Sequence, residues 1–275
     1  MKERRTLCCR RIIFLALLLG AAWLFTSPAA AQDLPPRPLK FACSAQVHEV
    51  IRDDILKLFT DKTGVKMEAD LYSSSLAVSR LAYDLADVAA TALRLDTRSK
   101  AEGLLEFPIC KDALVIFTNP EMKVTDLTDK QIRDIFSGAI TNWNQCGGPD
   151  RAFMLVIPTK DSALYQNFAR MFMEGKDTVF DVMTARSTMV VDVARRFAGA
   201  LSFVNLAATR GKPEGAKLVK VNGLGPDSPQ YPYYQVFSLV TKGKPVGDAK
   251  KFLDFMMSEE VTKLLEARGV KRHKE

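Results

Sequence analysis

Residues 127–143 read Leu127-Thr128-Asp129-Lys130-Gln131-Ile132-Arg133-Asp134-Ile135-Phe136-Ser137-Gly138-Ala139-Ile140-Thr141-Asn142-Trp143. Thr128 and Gln131 stand at capping-box spacing, so a helix is expected over 127–136. On the N-terminal side, short apolar runs alternate with amphipathic ones. Residues 39–42 read as a strand. Residues 47–63 read as a helix with Val50, Ile51, Ile55, Leu56 and Phe59 on one face. Gly64 sits where that helix would end. A second strand is expected over 65–71, a helix opening with three serines over 73–84, and a third short strand over 87–91. This βαβαβ rhythm implies a parallel sheet covered by helices.

Residues 113–117 are apolar throughout, which suits a strand buried on both faces. After the capped helix, strands are expected at 153–157, 200–204 and 234–241, with helices at 162–173 and 189–197. A loop rich in glycine and proline separates the last two strands at 223–232. One or two helices broken near Ser258 close the chain over 247–268. Their apolar residues Phe252, Leu253, Phe255, Met256, Val261, Leu264 and Leu265 need a sheet to cover. Two α/β lobes joined by crossing strands account for this order.

The chain has 275 residues, a net charge of +7 and 47% hydrophobic residues, close to ordinary globular usage. Residues 1–31 read as a cleaved secretory signal. Lys2, Arg4, Arg5, Arg10 and Arg11 make its basic region, residues 12–25 its apolar stretch, and Ala29-Ala30-Ala31 its cleavage site. Without it about 244 residues remain, with a charge near +3, so the basic balance gives no support for nucleic-acid binding. The apolar stretch is short against the ~20 residues of a membrane span. A periplasmic location is expected.

Of five cysteines, Cys8 and Cys9 fall in the leader. Cys43, Cys110 and Cys146 then allow at most one internal bridge, whose pairing the sequence leaves open. No metal-binding spacing occurs, and no cofactor is expected. His48 and His273 are the only histidines. With so little from which to build a nucleophile–base pair, no catalytic residue is assigned and an enzyme is not expected.

Several segments together resemble the periplasmic phosphate-binding-protein family of ABC uptake systems. The helix ending in Ile135-Phe136-Ser137-Gly138, followed by Ile140-Thr141-Asn142-Trp143, is similar to a recurrent family signature. Ala198-Gly199-Ala200-Leu201-Ser202-Phe203-Val204, Tyr231-Pro232-Tyr233 and Lys250-Lys251-Phe252-Leu253-Asp254-Phe255 resemble further family segments, in order. The resemblance covers roughly 39–271. It implies a two-lobed periplasmic-binding-protein fold of the α/β class, each lobe a central β-sheet flanked by helices, with a ligand cleft between the lobes. Residues 32–112 plus 230–275 would form lobe 1 and residues 113–229 lobe 2. The implied role is extracytoplasmic solute binding by a monomer. Its partners would be a small anion or other small solute, and an ABC transporter permease or a membrane sensor. A second reading is a binding-protein fold with a diverged ligand, acting as a sensor or protein-interaction partner.

In such open α/β sheets, ligands lie at the carboxyl ends of strands, where helix N-termini offer free N–H groups. That geometry points to Ser44, Ser74, Ser75, Thr91 and Ser162. The family motif Arg-x-x-Gly-Ser-Gly-Thr is reduced here to Pro158-Thr159-Lys160-Asp161-Ser162-Ala163-Leu164, in which only Ser162 matches. Proline replaces the arginine, and Lys160 offers a point charge beside the opposing charge of Asp161. Ala92 stands where the family has an acidic or hydroxyl residue. An arginine fork is not replaced by neutral groups, and losing such a partner costs ~2–5 kcal/mol. Phosphate affinity is therefore expected to be micromolar or weaker. Calorimetry with phosphate, sulfate and molybdate checks this, and submicromolar phosphate binding would contradict it.

Overall fold

The computed structural model describes residues 37–185, 189–209 and 217–273. The expected leader, 1–31, lies outside the described residues. The chain begins with β1 (Leu39–Ser44), α1 (Ala45–Thr63), β2 (Met67–Tyr72), α2 (Ser74–Ala82), β3 (Val88–Thr91) and α3 (Thr97–Ala101). Next come β4 (Leu104–Thr118), β5 (Asp126–Leu127), α4 (Asp129–Phe136), β6 (Met154–Pro158), α5 (Ala163–Phe172) and β7 (Val182–Thr184). The remainder comprises α6 (Met189–Arg196), β8 (Ala200–Asn205), α7 (Leu206–Thr209), β9 (Lys217–Val221), β10 (Tyr234–Lys242), α8 (Gly247–Met256), α9 (Glu259–Ala267) and β11 (Lys271–Arg272). All of these elements belong to one unit, Pro38–Glu275.

The strands hydrogen-bond in the order β2-β1-β3-β10-β4-β8-β6-β7. β1 pairs in parallel with β2 and β3, the arrangement that the βαβαβ rhythm dictates. β1 and β3 are almost wholly buried, as strands covered on both faces must be. β2 lies at the edge of the order and carries exposed Glu68 and Asp70, charges that discourage pairing with another chain. β4 is longer than its apolar run predicts. Its first part pairs with β10, whereas Leu114–Thr118 pair with β8. One strand thus runs through two packing environments.

Two cores correspond to those environments. In the first, Phe252 of α8 meets Phe41 and Phe59 edge-on, with ring centroids 5.0 and 5.1 Å apart. Phe252, Leu253, Met256, Val261 and Leu265 are buried, while Phe255 and Leu264 pack at the margin. Ser258 caps α9 by accepting the Val261 N–H, which is why the closing helix breaks there. In the second core, Phe168 stacks on Phe203 and meets Phe136 edge-on.

The two signature segments meet in that second core. The Thr128–Gln131 capping box forms in full and starts α4. Asn142 then caps the turn that holds Trp143, and the buried indole donates to the Gly199 carbonyl at 2.9 Å. Gly199 has φ +86°, and a Cβ there would lie 2.7 Å from the Ala152 carbonyl oxygen. Only glycine fits the approach that this hydrogen bond requires.

A chain of buried side-chain amides ties α5 to strands on both sides. Asn167 Nδ2 donates to the Ala92 carbonyl at 2.8 Å and to Gln235 Oε1 at 3.1 Å. Gln235 Nε2 donates in turn to Asn205 Oδ1. All three amides are buried. Asn167→Ala should cost about 1–3 kcal/mol, because it strands partners away from water. Phe252→Ala should cost about 3–5 kcal/mol as an aromatic core deletion. Denaturant unfolding of both variants checks the pair, and a loss below about 0.5 kcal/mol for Asn167→Ala would contradict the role given to the amide chain.

Candidate ligand-binding site

Ser44 ends β1, Ser73 and Ser74 follow β2, Thr91 ends β3 and Ser162 follows β6, so all stand at carboxyl ends of strands. Ser73 is the N-cap of α2, accepting the Leu76 N–H at 3.3 Å, and this frees Ser74 from capping. Ser74 instead donates to Ser44 Oγ at 3.0 Å and accepts the Ala92 N–H at 3.0 Å. Ser44 caps no amide of α1. Ser162 caps α5 through the Tyr165 N–H at 3.2 Å.

A cavity of about 700 Å³ brings Ser44, Ser74 and Ser162 onto one surface, together with Gln46, Glu49 and Asp161. The first amides of α2 and α5 face this region from two sides, and the positive ends of those helices favour an anion. Gln46 is the residue that sequence reasoning missed. It is buried, yet neither Nε2 nor Oε1 finds a partner among the described residues. Buried amide groups are almost always satisfied, so this pair leaves a donor and an acceptor open to a polar group that enters the cavity.

The charged groups on this wall are mostly acidic. Glu49 and Asp161 line it, and His48 is held to Asp53 at 2.9 Å. Among the described residues, no lysine or arginine does so. Lys160 stands outside, paired with Asp177 and lying over the Phe180 ring at 5.3 Å. Lys160 and Tyr165 both bond the Asp177 carboxylate, and these bonds lower its pKa to about 2.

Thr91 and Ser75 point elsewhere. Thr91 Oγ1 is closed into a local turn, accepting the Leu93 N–H and donating to its carbonyl. Both residues line a second cavity of about 460 Å³, which shares Ser74 with the first. The structure therefore gathers Ser44, Ser74 and Ser162, places Ser75 and Thr91 next door, and sets Lys160 in an ion pair. At the Ala92 position the protein offers backbone: its N–H binds Ser74 and its carbonyl binds Asn167.

Cys43, Cys110 and Cys146 are free thiols, and burial pushes the first two far above the ordinary range. Among the described residues no cluster of His, Cys, Asp or Glu is arranged to hold a metal, and no helix is long and apolar enough to cross a membrane.

Residues 26–260 match a family model described as a PBP superfamily domain. The phosphate-binding protein PstS of Borreliella burgdorferi is 22% identical over 275 residues, covering 94% of this chain and 98% of that protein. An ABC transporter substrate-binding protein from Clostridium perfringens with bound phosphate superposes with a TM-score of 0.76 at 23% identity, covering 86% of this chain and 100% of that one. An ABC-type phosphate transport receptor from Vibrio cholerae superposes with a TM-score of 0.74 at 22% identity, covering 86% and 100%. The matched model spans most of the chain, which belongs to the PBP superfamily and shares the two-lobed fold of these substrate-binding structures.

Proposed function

We propose that this chain is an extracytoplasmic solute-binding protein that captures a small anion in the serine cavity and presents it to an ABC transporter. The observation that carries the reading is Gln46, whose buried, unpartnered amide shares a wall with the N-termini of α2 and α5. The relatives named for phosphate binding support an anion as the ligand class. In this reading residues 32–112 with 230–275 and residues 113–229 are the two lobes, and β4 and β10 carry the chain between them. A ligand held by Ser44 and Ser74 on one side and Ser162 on the other draws the lobes together, the hinge closure that signals occupancy. Export through a cleaved leader and action as a monomer complete the proposal.

The wall chemistry narrows the ligand. Hydroxyls, one amide and helix N–H groups hold an oxyanion by hydrogen bonds, whereas Asp161 and Glu49 repel a dianion. The same carboxylates accept a hydrogen bond from the O–H of a protonated oxyanion or of a ligand hydroxyl. A monoanion, or an anion that also carries a hydroxyl, fits better than fully ionised phosphate.

Ser162→Ala and Gln46→Ala test the site. A ligand at about 100 times its Kd stabilises the folded chain by roughly 2.7 kcal/mol, so a thermal-shift screen of small anions identifies it. Ser162→Ala should then weaken binding by about 1–2 kcal/mol. If Ser162 only caps α5, its removal costs ~0.5–2 kcal/mol of stability with affinity unchanged. Unchanged affinity in both variants would remove the serine cavity as the binding site.

A further inference from the structure

Arg94 follows β3, and Arg170 lies in the last turn of α5; both line the second cavity with Ser75 and Thr91. Some other arginines have carboxylate partners: Arg98 binds Glu102, Arg133 binds Glu174 and Arg268 binds Asp54. Among the described residues, Arg94 and Arg170 have none. Arg170 donates only to the Asn167 side chain, at 3.0 Å. Asp96 stands on the same wall, but its carboxylate caps α3 through the Ser99 N–H at 2.7 Å. Two cations therefore face one hollow, and among the described residues neither is ion-paired with Asp96, the carboxylate on its wall. Arg170 is held below its ordinary pKa first by desolvation and then by the charge of Arg94.

We propose that Arg94 and Arg170 form a second oxyanion site, which takes a phosphate group either as the free ion or as a monoester. Two guanidinium forks can each bind phosphate oxygens through paired N–H donors. The exposed hydroxyl of Ser75 on the first turn of α2 adds a neutral donor. A cavity of about 460 Å³ has room for the organic part of an ester. Arg94 follows β3 of the first core while Arg170 belongs to a helix of the second core, so the bound anion bridges the two. The site stands whether or not the serine cavity holds the transported solute.

The test is calorimetry on the full mature chain, titrated with inorganic phosphate and with glycerol phosphate at low and high salt. Saturable binding below about 1 mM is expected for at least one of them. R94Q combined with R170Q should weaken it about tenfold or more, and added salt should weaken it in the parent chain. Q46A and S162A should leave it within about twofold. R94Q alone, at an exposed position, and R170K keep the test decisive if the double variant does not fold. Binding of inorganic phosphate identifies the free ion, and binding of the ester alone identifies an organic phosphate. No saturable binding, or equal affinity in the arginine variants, overturns the proposal. Loss through Q46A or S162A with the arginine variants unaffected also overturns it, and instead places the anion in the serine cavity.

Discussion

The side-chain amide of Asn167 fixes the position of α5, and α5 supplies one wall of each cavity. Both of its donors are used, one on the Ala92 carbonyl after β3 and one on Gln235 of β10. Its acceptor takes Arg170. At about 1.5 Å of rise per residue, Ser162 lies roughly 7.5 Å from Asn167 along the helix and Arg170 roughly 4.5 Å the other way. One buried joint thus sets Ser162 over the serine pair and Arg170 beside Arg94. A hydrophobic contact is non-directional and would let the helix slide. An amide chain running through Asn167, Gln235 and Asn205 permits one register, because a slip would leave buried polar groups unpaired.

The same logic explains why the signature around Asn142-Trp143 carries so much of the fold. It forms no part of either cavity. Its purpose is mechanical: the capped helix α4 ends, Asn142 turns the chain, and Trp143 reaches Gly199 at the start of β8. Segments 56 residues apart are locked by one N–H and one glycine that permits the approach. Those requirements are local and stereochemical, so they leave a legible trace in sequence. The βαβ rhythm, the Ser258 break and the buried faces of α8 and α9 are legible for a similar reason: capping and periodicity are properties of neighbouring residues.

Other features depend on packing between distant segments, and the sequence holds no local trace of them. Three consecutive serines announce a helix start, but which of them caps it is settled by the geometry of β2: Ser73 caps, and Ser74 is released toward Ser44. Thr91 sits at the expected strand end, yet the turn at Leu93 captures its hydroxyl. Lys160 stands beside the cavity in sequence, but Asp177, seventeen residues on, offers it a partner in the fold. Gln46 carries no pattern at all. A glutamine two residues into a helix is ordinary until its amide is found buried without a partner. Arg94 and Arg170 lie seventy-six positions apart, and only the packing of α5 against the end of β3 brings their charges onto one hollow.

On the proposed reading, the two cavities divide a task that an arginine-bearing phosphate site performs in one place. Such a site combines hydroxyls and helix amides, which define shape, with a guanidinium, which supplies charge. Here Pro158 ends β6 where that guanidinium would arise, and the serine cavity keeps the shape-defining donors beside Asp161 and Glu49. The positive charge lies across Ser74, in the neighbouring hollow. Neutral donors discriminate by the number and direction of hydrogen bonds, whereas a charge pair attracts any compact polyanion and yields to salt. Ser74 touches both cavities, so occupancy of either acts on the same residue and on the same placement of α2 against α5. A ligand in one cavity therefore changes the other only by the difference in how tightly each is bound with α5 closed, which is the condition any coupling between them must satisfy.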